Sequence, residues 1–224
     1  LMRPHQNLGL YYSMQGRLGE ALEEQGQLDS AAELYKRAIA SPKLPSRHPM
    51  AVLIKVNLGE IYEQQRNFDE ASNYYQDVIE AMEHPREYGL QNLPTQPQFL
   101  RNRTETYERF GDAFRMAKRF DDALRAYQLA QTVSPRSSRF AQKVAEIFID
   151  QEKFDQALEY LDKYLADQTP QGSQAYERLA FVLGKLSRSE EVLARVQAAA
   201  EKDRFNVGLQ YFLGTLYEEA GEID

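Results

Sequence analysis

Phe120-Asp121-Asp122-Ala123 and Phe154-Asp155-Gln156-Ala157 are one phrase written twice, 34 residues apart: an apolar residue, an acid, a free position, then alanine. The phrase stands earlier as Leu28-Asp29-Ser30-Ala31 and Phe68-Asp69-Glu70-Ala71. A worn copy follows at Ser189-Glu190-Glu191-Val192, and another begins at Ile223-Asp224, so the last three intervals are 34, 35 and 34 residues. A period in the low thirties marks a solenoid of identical supersecondary units, each packed on its neighbours.

The residues around each phrase give the unit its form. Tyr107, Phe110, Gly111 and Phe114 are spaced by three and four, which places them on one face of a helix. Ala123, Tyr127 and Ala130 do the same on the next helix, and Pro135 closes the unit. Only Met116-Ala117-Lys118-Arg119 lies between, enough for a tight turn and an antiparallel helix pair. The recurring acid falls at the start of the second helix. There it is expected to cap free N–H groups and meet the positive end of the dipole, worth about 0.5–1 kcal/mol. The alanine, and the first-helix glycines Gly19, Gly59, Gly111 and Gly214, are expected where helices approach closely. Ala145 and Ala180 replace the glycine in two units.

With these residues in place the chain resembles the tetratricopeptide repeat family over most of its length. Repeat one carries Leu18-Gly19, Leu22, Gly26, Leu28, Ala31, Tyr35 and Ala38; repeat two carries Leu58-Gly59, Tyr62, Phe68, Ala71 and Tyr75. Repeat four has Val144-Ala145, Phe148, Phe154, Ala157, Leu161 and Pro170, and repeat five has Leu179-Ala180, Leu183, Val192, Val196 and Ala199. The tryptophan that often opens the family's first helix is absent, and Tyr107 holds its place in repeat three. The resemblance implies an all-α fold, an α-α superhelix: a right-handed solenoid of antiparallel helix pairs. One array is expected over 1–224, with units near 12–45, 52–90, 104–137, 138–171 and 173–206, and a truncated one at 207–224.

Two intervals break the period. Asp29 to Asp69 is 40 residues, with the excess around Ser41–Pro49, and Asp69 to Asp121 is 52. The second excess, an insertion over about 83–100, reads as a lengthened second helix followed by a proline-rich loop. Insertions in solenoids lie on one edge, where they contribute to a binding face or pass as surface loops. Residues 1–16 also match the motif in a second frame, through Leu8-Gly9 and Tyr12, and the frame running on through Tyr35 and Ala38 is preferred.

Little else in the chain carries chemistry. There is no cysteine, which excludes disulfides, thiolate nucleophiles and cysteine-held metal centres. His5, His48 and His84 each neighbour a proline in a connector or terminus, far apart and without metal-ligand spacing, so they read as exposed loop histidines and no metal is expected. The glycines stand singly inside helices and form no phosphate-cradling loop, so no cofactor is implied. Asn102-Arg103-Thr104 has the form of a glycosylation acceptor, a match that random sequence often supplies. The formal charge is −7, but residues 98–143 carry ten basic and five acidic side chains. Acids interleave with that cluster, and nucleic acid is not expected as a partner. No run of apolar residues is long enough to span a membrane. Nothing fixes a compartment, cytoplasmic or other.

Function is expected on the first helices, which in this family line a concave groove that holds a peptide or a partner's helix. Spacing places Ser13, Arg17, Glu20 and Glu24 there in repeat one, and Leu53, Asn57, Glu60 and Gln64 in repeat two. Glu105, Arg109, Asp112 and Met116 follow in repeat three, with Arg139, Lys143, Glu146 and Asp150 in repeat four and Gln174, Arg178, Phe181 and Lys185 in repeat five. Asn57, Arg109, Arg115, Arg139, Lys143 and Arg178 are the candidate partner-binding residues. A ladder of ion pairs, Glu60 with Arg109, Asp112 with Lys143 and Glu146 with Arg178, is expected to neutralise part of the groove floor. The family's clamp for acidic carboxyl-terminal peptides does not fit, since Gly16, Glu20 and Glu105 stand where it needs cations or asparagine. The expectation is a non-catalytic scaffold for a protein or peptide partner. The alternative is a recruiting or assembly segment of a larger multidomain enzyme or envelope complex. Leu213, Leu216 and Tyr217 should leave an apolar edge at the carboxyl end that favours self-association.

Overall fold

The computed structural model describes residues 19, 23, 26–137, 139–167, 170 and 172–221. Among the described residues are eleven α-helices, one 3-10 turn and no strand. In chain order the helices are α1 (Leu28–Ile39), α2 (Pro49–Gln64), α3 (Phe68–Glu83), α4 (Gln98–Arg101), α5 (Arg103–Met116) and α6 (Phe120–Val133). Then follow α7 (Arg139–Asp150), α8 (Phe154–Asp167), α9 (Gln174–Lys185), α10 (Glu190–Lys202) and α11 (Val207–Ala220). The chain forms two compact units that divide after Ala130. In the first, α2 packs antiparallel on α3 and α3 packs on α5; in the second, α7 packs on α8, α8 on α9 and α10 on α11.

A single turn, repeated, makes each helix pair. Arg66, Lys118, Glu152 and Ser187 have φ between 57° and 59°, a left-handed conformation that glycine adopts most easily, and Gly26 and Gly221 hold the same place with φ of 71° and 70°. In each non-glycine case the next residue's N–H bonds to the carbonyl five positions back. These bonds are Asn67 to Tyr62, Arg119 to Phe114, Lys153 to Phe148 and Arg188 to Leu183, all 2.8 Å. This is the Schellman closure of the first helix. It reverses the chain in two residues and delivers the apolar residue of the phrase to the start of the second helix.

The acid of the phrase is not the cap. Asp69 and Asp121 stand in the first turn of α3 and α6, where the dipole favours them. The α3 cap is Asn67, whose Oδ1 accepts from Glu70 N at 3.3 Å. The acid of the first unit does something else: Asp29 accepts from Gln65 Nε2 of the next helix pair at 2.8 Å. His48 is likewise more than an exposed loop histidine. Its Nδ1 accepts from Met50 N at 3.1 Å and caps α2 in front of Pro49. Partial burial holds its pKa below the usual histidine value, which keeps that nitrogen free to accept.

Close packing in the first unit rests on glycine–tyrosine pairs. Tyr35, Tyr75 and Tyr127 are all 0% exposed, and each ring lies against the first-helix glycine of its own unit: Gly19, Gly59 and Gly111. In the second unit the positions with the same spacing change together, to Ala145 and Leu161 in α7 and α8 and Ala180 and Val196 in α9 and α10. A larger residue on one side accompanies a smaller one on the other, as close packing requires. Asn206 ties α11 to the turn before α9. It accepts from Leu209 N and Gly172 N, both at 3.1 Å, and donates to Pro170 O at 2.8 Å.

The insertion is a packed structure. α3 ends at Glu83 after 16 residues, against 14 for α6 and α8, so the lengthening amounts to about half a turn. Beyond it Tyr88, Leu90 and Phe99 are buried. The two irregular connectors meet: Arg47 pairs with Glu87 at 2.9 Å, and Gly89 (φ 65°) sits against the Pro49 ring.

Candidate partner-binding pocket

The largest consequence of the insertion lies at its far end. Pro97, Gln98, Phe99 and Asn102, at and around α4, form one wall of a cavity of about 370 Å³. Leu53, Val56, Asn57 and Glu60 of α2 form the opposite wall, and Glu105, Thr106 and Arg109 of α5 complete it. The spacing of the sequence places five of these, Leu53, Asn57, Glu60, Glu105 and Arg109, on groove faces, and the fold brings all five to this one cavity. The α4 wall escapes such a reading because a four-residue helix after a proline-rich stretch has no periodicity to detect. Asn102, conspicuous in the sequence only as a glycosylation match, is part of that wall.

The polar groups of the cavity are held from behind by the buried tyrosines. Asn57 Nδ2 donates to the Tyr35 hydroxyl at 2.9 Å. The Tyr75 hydroxyl donates to Glu63 Oε2 at 2.5 Å, and burial raises its pKa well above the usual phenol value. The glycine–tyrosine contact therefore both packs the pair and sends a hydroxyl to the first-helix face.

Arg109 enters the cavity as a paired cation. Its Nη2 lies 2.8 Å from Glu60 Oε1 and its Nε lies 3.7 Å from Glu63 Oε2. The guanidinium also rests over the Tyr75 and Phe110 rings, 5.5 Å from each centroid, and those rings stack at 4.0 Å. This is the first rung of the expected ladder. The rung Glu146–Arg178, inside the second unit, is present at 2.9 Å. The two rungs differ in burial: the Glu60 and Arg109 side chains are 36% and 39% exposed, whereas that of Glu146 is 10% exposed. The Asp112–Lys143 rung joins residues of different units and stays a proposal.

The other candidates stand elsewhere. Arg115 is in the last turn of α5, outside the cavity. Arg139, Lys143 and Arg178 belong to the second unit, where the Arg139 guanidinium lies over the Phe140 ring at 5.2 Å. Ser13, Arg17, Glu20 and Glu24, the frame of residues 1–16 and the phrase at Ile223-Asp224 lie outside the described residues. Among the described residues no three His, Asp or Glu side chains gather as a metal site requires, and no helix is long and apolar enough to cross a membrane.

A second surface is apolar. Phe205, Val207 and Tyr211 are 95%, 80% and 75% exposed, and Phe212, Leu213, Leu216 and Tyr217 of α11 are half-exposed. A Cβ added to Gly214 would meet nothing within 4 Å.

Residues 12–84 match the Tetratricopeptide repeat family. No curated protein sequence matches the chain. Among solved structures, a crystal structure of MamA protein is similar with a TM-score of 0.60 and 18% identity, over 88% of this chain and 93% of that one. A MamA from Desulfovibrio magneticus RS-1, residues 41 to the end, gives 0.56 at 12% identity over 86% of this chain and 95% of that one. YrrB, described as a TPR protein with an unusual peptide-binding site, gives 0.56 at 13% identity over 88% of this chain and 89% of that one. These likenesses carry the fold, which agrees with the turn, the glycine–tyrosine pairs and the antiparallel packing: the chain has the fold of the tetratricopeptide-repeat structures, and its residues 12–84 match that family.

Proposed function

We propose that this chain is a non-catalytic interaction scaffold that holds a segment of a partner protein in the cavity between α2, α4 and α5. Repeat proteins of this fold work through protein partners. The observation that supports this placement is the cavity itself: two groove helices and the insertion converge on it with apolar, amide and charged groups, the mixture that fixes a bound chain. YrrB, one of the structural neighbours, is described as having a peptide-binding site, which fits the same expectation. The test is a photo-crosslinking residue placed in the source cell at Gln98 or Glu105, with exposed Glu33 of α1 as the control. Adducts are expected from the first two positions and lost when Leu53→Arg is added. Adducts as abundant from Glu33, or none from Gln98 and Glu105, would contradict the reading.

We also infer that the exposed face of α11 packs on a second copy of the chain. Its run of exposed and half-exposed apolar residues favours this over a solvated helix. In sedimentation velocity the weight-average mass is expected to rise above 25.9 kDa with concentration. Val207→Glu with Tyr211→Glu should restore the monomer. A wild-type monomer at every concentration would refute it.

A further inference from the structure

We propose that the segment held in this cavity presents a lysine or arginine side chain to it, with Glu105 as the principal carboxylate and Glu60 beside it. The proposal rests on the placement of the partner site above and adds the chemistry of what enters.

The argument is one of charge and of which charges are already spent. The cations of the neighbourhood are committed. Arg109 is shared between Glu60 and Glu63 and lies over two rings, so an incoming carboxylate would have to displace a bound acid to reach it. Arg103, the next cation back along α5, turns to Tyr107, donating to its hydroxyl at 3.0 Å, and does not line the cavity. Glu105 is exposed, lines the cavity, and has no hydrogen-bond or ion-pair partner among the described residues. Glu60, Glu63 and Glu105 against Arg109 leave two negative charges uncompensated around the opening. Such a field attracts a cationic group and repels an acidic one.

The rest of the lining suits the whole of such a side chain. Leu53, Val56, Pro97 and Phe99 offer apolar surface to an aliphatic stem, while its charged end reaches the acids at the mouth. Gln98 and Asn102 supply amide donors and acceptors for the main chain on either side. Residues 98–143 carry a basic excess, but at this cavity the pairing of Arg109 leaves the balance negative.

The experiment is selection from a phage-displayed random nonapeptide library on the full chain. Enriched peptides are expected to share a lysine or arginine at one position with an apolar residue nearby. Glu105→Lys, at an exposed position and with an unchanged thermal melt, should weaken them tenfold or more. Selection on that variant should replace the shared base by aspartate or glutamate. Leu53→Arg and, at an exposed wall position, Gln98→Trp should each abolish binding. Peptides that need Leu53 and Gln98 yet carry an acid or no charge at the shared position, or that ignore Glu105→Lys, overturn the proposal and leave the partner site standing. Peptides indifferent to both blocking variants, or no enrichment at all, overturn the partner site itself.

Discussion

Gly111→Ala is expected to destabilise the first unit by about 2–3 kcal/mol, the reverse of the gain that alanine brings to an ordinary helix interior. A Cβ built at Gly111 would lie 2.7 Å from Tyr127 Cδ1. The ring is 0% exposed, and its hydroxyl donates to Asp112 Oδ1 at 2.6 Å, so it cannot swing aside without losing that bond. The second unit shows the remedy: the equivalent positions carry Ala145 and Leu161, both fully buried. Tyr127→Leu alone should cost about 2 kcal/mol through the space it opens. The double variant should cost less than the sum of the singles by at least about 1 kcal/mol. Urea unfolding followed by far-ultraviolet circular dichroism reads all four proteins. Additive effects, or a Gly111→Ala chain as stable as wild type, would show that the glycine is not there for the tyrosine.

Arg178→Met is the second large effect. Its partner Glu146 is buried, and removing the guanidinium takes the 2.9 Å ion pair from a carboxylate inside the packed second unit. The expected loss is about 2–3 kcal/mol, because a stranded buried charge costs far more than a surface pair returns. Glu146→Gln together with Arg178→Met should recover most of it. In the first unit, Glu60→Gln should cost no more than about 1 kcal/mol, since that pair is half exposed. A loss for Arg178→Met below that for Glu60→Gln would contradict the assignment.

Much of the fold is legible in the residues. The interval between Asp121 and Asp155, the spacing of Phe110, Gly111 and Phe114, and a close approach at the first-helix glycines all follow from helix geometry and close packing. So do two rungs of the ladder, because they depend only on which face a residue occupies. What did not follow depends on contacts made far along the chain. The acid of the phrase suggests a cap, yet Asn67 takes that role in α3, since the closing turn sets the cap two residues before Asp69. Arg109 reads as the partner of Glu60 alone until the fold sets Glu63 beside it as well. The α4 wall could not be read at all: Pro97, Gln98, Phe99 and Asn102 belong to no period, and only the meeting of the two irregular connectors fixes where they lie.

A partner's chain is expected to occupy the cavity between α2, α4 and α5. Methyl NMR spectra, recorded while a library-selected peptide is titrated in, test it most directly. Leu53, Val56 and Thr106 should shift and saturate together, while Leu158 and Leu161 of the second unit stay in place. Saturable binding that leaves Leu53 and Val56 unmoved, with shifts on α11 or on α3 instead, would contradict it.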